Sequence, residues 1–230
     1  MNRNMIKKTL LISTLLLSFG TSQIFAQAVS DVNGRNYRVK SSSDIKGSPY
    51  FTDNFIKGIL KLKNGKEING LALKYDLMDD LVLYKDAKDS IMEVAEPIAE
   101  FKLESVNEPA IPYHLFRSGF NKVNGNTDNS FYEVLSDGNV KFIRKNIKYI
   151  KEFTEYNAKT SDKSIEDKIT YYIVKPDNTP IPVSKNEKSI LNVLDNKKDE
   201  LSAFIKSNKL SLKKDADILK VFEYYQSINK

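Results

Sequence analysis

The stretch Leu60-Lys61-Leu62-Lys63-Asn64-Gly65-Lys66-Glu67-Ile68 alternates apolar with charged residues, stops at Asn-Gly and resumes. Period-two alternation gives a strand one apolar face, and Asn-Gly supplies the positive φ that a tight reversal needs. A two-residue loop would set Leu62 against Glu67, apolar against charged. A three-residue loop from Lys63 to Gly65 pairs Leu60 with Ile68 and Lys61 with Glu67, so that like meets like and opposite charges face each other. The stretch reads as a hairpin with Gly65 left-handed.

The same test applies at Phe131 to Ile143, where a Ser136-Asp137-Gly138 loop pairs Val134 with Val140, Tyr132 with Phe142 and Glu133 with Lys141, with Gly138 in the part of Gly65. A third hairpin is expected over Tyr171 to Val183, turning at Pro176 to Thr179, with Tyr172 facing Val183 and Val174 facing Ile181. Pro180 and Pro182 cannot donate ladder hydrogen bonds, which places their strand at a sheet edge. Leu81 to Tyr84, Ile91 to Val94 and Ile98 to Leu103 read as further short strands.

Strands without long intervening helices imply an antiparallel meander: a curved sheet, a sandwich or a partial barrel. From Asn186 the period becomes helical, with stripes of Ile190, Leu191 and Leu194, then Leu201, Phe204 and Ile205, then Ile218, Val221, Phe222, Tyr225 and Ile228. Asp195 and Ser211 are the expected N-caps of the second and third helices. The fold class is thus β-rich α+β, with two or three short C-terminal helices packed on the sheet.

The N-terminus sets the destination. Arg3, Lys7 and Lys8 precede an apolar run from Leu10 to Phe19 and a small-residue site at Ala26 or Ala28, the pattern of a secretory signal peptide. The organisation expected is a signal peptide over 1–26, a flexible leader over 27–47, a β body over 48–184 and a helical tail over 185–230. Export to the periplasm or beyond follows, with no membrane span left in the mature chain.

The chain has no cysteine, which removes disulfides, thiolate metal sites and a lipidated N-terminal cysteine. Of the formal charge of +6, three positive charges belong to Arg3, Lys7 and Lys8. The remaining balance is small and lysine-rich, unlike a concentrated nucleic-acid-binding face.

Candidate chemistry is sparse. His114, the single histidine, has no second histidine, cysteine or Gly-x-Ser-x-Gly elbow to work with, and reads as structural. Asn124-Gly125-Asn126-Thr127-Asp128-Asn129 spaces oxygens as a calcium loop begins, but Asn129 stands where glycine is needed and Leu135 where a bidentate glutamate is needed. Residues 75–108 hold ten carboxylates against three lysines, and a pair such as Glu93 and Glu100 could flank a glycosidic bond. Their alternation with Val82, Met92, Val94 and Phe101 reads more simply as the solvated faces of strands. No catalytic, cofactor or metal residue is assigned.

Ser48-Pro49-Tyr50-Phe51, Leu73-Lys74-Tyr75-Asp76, Glu100-Phe101, Ser130 to Leu135 and the tail from Lys197 to Tyr225 resemble a family of uncharacterised exported proteins of Bacteroidetes-type bacteria. The resemblance implies an envelope location and a β-rich body with a helical tail, and it carries no active residues. The function expected is a non-enzymatic envelope protein that serves as a protein-interaction or assembly module, its partner another envelope protein. The alternative is a carrier or sensor of an apolar small molecule or lipid held between sheet and helices, and a carboxylate-dependent hydrolase stands third.

Overall fold

A computed structural model describes residues 32–38, 44–105, 112–154 and 161–229. The signal peptide and its cleavage sites lie outside the described residues. Twelve strands form one open, curved sheet, and three helices follow at the C-terminus.

The strands are β1 (Gly34–Asn36), β2 (Ile45–Lys46), β3 (Ile56–Leu62), β4 (Glu67–Asp76), β5 (Leu81–Lys85), β6 (Ile91–Val94), β7 (Ile98–Glu104), β8 (Tyr113–Arg117), β9 (Tyr132–Ser136), β10 (Lys141–Phe153), β11 (Asp162–Val174) and β12 (Pro180–Val183). Their order is β1-β6-β5-β4-β3-β7-β8-β9-β10-β11-β12, with β2 pairing β11 off this path. Apart from the parallel β2–β11 pair, neighbours run antiparallel, as expected of a meander. β1 and β2 fall inside the stretch read as a leader, so strand pairing begins before Ser48. They escape a pattern-based reading because they are very short, and β1 has no apolar alternation to mark it.

The first hairpin has the expected register, Leu60 opposite Ile68 and Lys61 opposite Glu67. Gly65 sits at φ 88°, and its N–H donates to the Leu62 carbonyl at 3.0 Å. In β3 the alternation is literal: Ile56, Gly58, Leu60 and Leu62 are buried while Lys57 and Lys61 are exposed.

The other two hairpins correct the sequence reading. Phe142 pairs with Ser136, and a bulge then sets Ile143 against Val134 and Arg144 against Glu133. Gly138 has φ 156°, far from the left-handed turn value, and what its missing side chain provides is space: a Cβ there would lie 2.7 Å from the Gln226 amide. That amide donates to Ser136 Oγ and to the Asp137 carbonyl, tying the last helix to the hairpin. In the third hairpin the register is shifted by one residue, with Tyr171 opposite Val183 and Ile173 opposite Ile181. Pro180 and Pro182 then face Val174 and Tyr172, and β12 ends the sheet order, the edge position their missing N–H groups require.

The sheet curls far enough for the β4–β5 turn to reach β10, although four strands lie between β4 and β10 in the order. Lys148 donates its backbone N–H to the Leu77 carbonyl at 3.2 Å, and the Lys145 ammonium bonds Asp80 Oδ2 at 2.6 Å. The curl encloses a core of Leu60, Leu71, Leu73, Tyr75, Phe101 and Phe116, in which Phe101 and Phe116 stack at 4.7 Å.

The helices are α1 (Glu187–Val193), α2 (Lys198–Ser207) and α3 (Asp215–Ile228). Asn186 caps α1 by accepting from the Ser189 N–H at 2.9 Å. The expected caps of the other two are displaced: Lys197 and Lys214 occupy those positions without side-chain capping bonds. Asp195 opens a 3-10 turn over Asp195–Lys197, and Ser211 gives its backbone N–H to Asp217 Oδ2. The apolar stripes pack on Val140, Phe142, Ile173 and Val183 of the sheet. The Phe142 ring stacks against Phe222 at 5.0 Å and against Tyr171 at 5.6 Å, so side chains occupy the layer between sheet and helices.

Candidate interaction surface

β10 and β11 are each thirteen residues long and pair along their full length, from Lys141 opposite Val174 to Phe153 opposite Asp162. Neither strand contains glycine or proline, so nothing in the sequence stops the ladder. The inner half is in the core; the outer half leaves it and forms an arm, with β2 paired in parallel along β11 at Lys163 and Ser164.

Opposite residues of an antiparallel pair share a face, so the register divides the arm into two sides. One carries Lys148, Ile150 and Glu152 opposite Asp167, Ile165 and Lys163, and continues the surface on which the helices pack. The other carries Ile147, Tyr149, Lys151 and Phe153 opposite Lys168, Glu166, Ser164 and Asp162.

Large apolar side chains stand in solvent here: Phe153 is 59 % exposed, Ile169 47 %, Ile150 42 % and Tyr149 41 %. The described residues include one other large exposed hydrophobic, Tyr113 on β8. Scattered single apolar residues need no explanation, but here Tyr149 and Phe153 stand together on one face of a protruding element while Ile150 and Ile169 stand on its opposite face, and such clustering marks a contact site. The arm is also laced by its own charges, with the Lys151 ammonium on Glu166 Oε1 at 2.9 Å and the Lys163 ammonium on Glu152 Oε1 at 2.7 Å.

The base of the arm is held from both sides. On the helix side, residues 47–50 cross it: a Cβ on Gly47 would lie 3.2 Å from Ile165 Cβ, and the Lys148 ammonium donates to the Ser48 and Tyr50 carbonyls at 2.8 Å each. On the other side, the Lys145 side chain is 5 % exposed and reaches Asp80 and the Phe131 carbonyl, while the Tyr75 hydroxyl donates to Asp80. Burial lowers the affinity of Lys145 for its proton, and the neighbouring Asp80 works against that shift. The face bearing Tyr149 and Phe153 has no such strap among the described residues.

A second polar chain joins sheet and tail. His114 Nδ1 lies 2.9 Å from Glu133 Oε1, Arg144 Nε donates to Glu133 Oε2 at 2.7 Å, and Arg144 Nη1 donates to Asp215 Oδ2 at 3.2 Å. The Lys185 ammonium and the Tyr171 hydroxyl also donate to Asp215. His114 is thus a structural partner of a buried carboxylate, with its ring edge-on to Phe51 at 5.0 Å. Among the described residues, the hydrogen-bond partner of the single histidine is the Glu133 carboxylate and not a nucleophile.

The other sequence candidates are not brought together. Glu93 lies on β6 against Arg35, Glu100 lies on β7 against Arg117, and β5, β4 and β3 separate the two strands. In the Asn124 to Asn129 stretch the oxygens serve the turn: Thr127 Oγ1 accepts from the Asn129 N–H, and Asn129 Oδ1 accepts from Lys63. No group of three or more potential metal-ligating side chains occurs among the described residues.

Two open grooves of about 450 and 440 Å³ lie on the surface, one between α2 and α3 at Phe204 and Tyr224, the other across β3, β4, β7 and β8 at Gly58, Gly70 and Tyr113. Leu210 and Tyr224, at the margin of the layer between sheet and helices, line the first groove, but none of that layer's fully buried residues lines either one. Among the described residues, no helix is long and apolar enough to cross a membrane. Comparison of the chain with family models, with curated proteins and with solved structures gives no match.

The arm was missed in the sequence. Its signal is the uninterrupted run from Asn139 to Lys175 without glycine or proline, with apolar residues on both parities of the strand.

Proposed function

We propose that this is an exported, non-enzymatic envelope protein whose task is to hold another protein, with the β10–β11 arm as its contact element. The single observation that carries the reading is the exposure of Tyr149 and Phe153 on one face of an arm whose base is fixed by Lys145 and Lys148. A rigidly mounted apolar patch loses little order on binding, which favours association. The signal-peptide pattern and the resemblance to exported Bacteroidetes-type proteins support the location. The packed layer between sheet and helices supports this reading over that of a carrier, which needs a cavity there.

A photo-crosslinking residue placed at Phe153 or Tyr149, in cells that make the protein naturally, tests the proposal. A discrete adduct of higher mass is expected from both arm positions and not from Lys66 in the first hairpin loop. Absence of any adduct from the arm, or the same adduct from Lys66, overturns it.

A further inference from the structure

We infer that the partner of the arm's free face is a second copy of this chain, a conclusion that rests on the arm being the contact element. The argument comes from the order of side chains along that face. From base to tip, β10 presents Ile147, Tyr149, Lys151 and Phe153, and β11 presents Lys168, Glu166, Ser164 and Asp162 beside them.

Laying this face on its own copy with the strands antiparallel, β10 over β10 and β11 over β11, sets Ile147 over Phe153 of the copy and Tyr149 over Lys151. On β11 it sets Lys168 over Asp162 and Glu166 over Ser164. Apolar meets apolar, an ammonium meets an aromatic ring, and the charges that meet are opposite. The arrangement is isologous: each contact occurs twice about one two-fold axis, which closes the assembly at two chains.

Neighbouring registers fail on the same residues. Steps of two residues keep the face, because the pleat has period two. Moving the centre toward the tip sets Lys151 over Lys151 and Asp162 over Glu166. Moving it toward the base sets Glu166 over Glu166 and Ile147 over Lys151. Stacking β10 on β11 instead sets Ile147 over Lys168 and Phe153 over Asp162. Of these arrangements, one both avoids like-charge meetings and sets apolar on apolar; like charges or apolar–charged contacts disfavour the others.

Other ways of pairing the arm are obstructed within the chain. The outer edge of β10 is met at Lys148 by the Leu77 carbonyl, and the helix-side face is crossed by residues 47–50. The charges of the proposed face already make contacts within the chain that docking would have to exchange: Glu166 accepts from Lys151 at 2.9 Å and from the Tyr149 hydroxyl at 3.3 Å, and Asp162 lies 3.9 Å from Lys46. The area offered by two short strand segments is small, so association is expected to depend strongly on concentration.

The absence of cysteine makes the test clean. Two variants, Ile147→Cys and Phe153→Cys, are purified separately, mixed and treated with a short bis-maleimide. Within one chain these positions lie about 20 Å apart along the strand, beyond the reagent's reach. A covalent dimer is expected from the mixture and not from either variant alone. Dimer from a single variant alone, or none from the mixture, overturns the register. Independently, sedimentation of the unmodified protein should show dimer growing with concentration; Lys168→Asp should abolish it, and Lys168→Asp combined with Asp162→Lys should restore it. Monomer at every concentration up to about 1 mM overturns the self-association. If the arm then still gives adducts with another protein in cells, the arm reading stands and only the identity of the partner falls; if the arm gives none, both fall.

Discussion

Arg144 Nε donates to Glu133 Oε2 across 2.7 Å, joining β10 to β9 at a carboxylate that is almost fully buried. Burial alone would push the Glu133 carboxyl up, but hydrogen bonds from His114 and Arg144 outweigh it and hold the group below the usual carboxylate range. Arg144 also reaches Asp215, so one guanidinium ties two strands to the last helix.

Removing that guanidinium leaves a buried charge without its partner. Arg144→Ala should lower stability by about 3–5 kcal/mol, measured by urea unfolding. A carboxylate whose folded value lies below its unfolded one, about 4.3 for glutamate, adds stability above the unfolded value and loses it as pH falls through the folded one. The melting temperature of the unmodified protein should therefore drop below about pH 4 more steeply than that of Glu133→Gln. Parallel acid limbs would show that Glu133 does not contribute.

Gly65 is expected to be irreplaceable by a β-branched residue for a backbone reason alone. A Cβ there meets nothing within 4 Å, so the penalty of Gly65→Val comes from φ 88° and should be about 1–2 kcal/mol, while Gly65→Asn should cost clearly less. Equal melting curves for Val and Asn would contradict this.

Gly138 behaves differently because its neighbour is a side chain. Gly138→Ala places a methyl against the Gln226 amide, and Gln226→Ala should relieve part of the loss. A double-mutant cycle reads the coupling, and additive effects would mean that the contact is unimportant.

Phe222 is fully buried between α3 and the sheet, stacked on Phe142. Phe222→Ala should destabilise the whole protein by about 3–5 kcal/mol in a single unfolding transition. A separate early transition of the helices, with the sheet unaffected, would show that the tail is not part of the core.

The mature chain is expected to begin at Gln27 or Val29, read by intact mass or N-terminal sequencing of protein recovered from its source. Retention of Met1 would remove the export assignment.

What the sequence determined by itself is whatever depends on neighbours along the chain. The alternation of Leu60, Leu62 and Ile68 around Asn64-Gly65 sufficed for one hairpin and its register, because the turn and the strand residues flanking it are close neighbours in the chain. The helical stripes from Ile190 to Tyr225 were legible for the same reason, since period 3.6 is written locally. Pro180 and Pro182 marked an edge strand because a missing N–H is a property of the residue. Tertiary structure decided the rest. The bulge at Phe142 and Ile143 and the one-residue shift opposite Pro182 arise from how strands meet the helices and the curled sheet, and a period-two pattern cannot choose between registers that differ by such a step. The arm is the clearest case: Phe142 and Phe153 lie on the same strand, yet one is buried under Phe222 and the other stands in solvent. Burial depends on what covers a side chain, and the covering groups, Phe222, Leu77 and residues 47–50, come from distant parts of the chain.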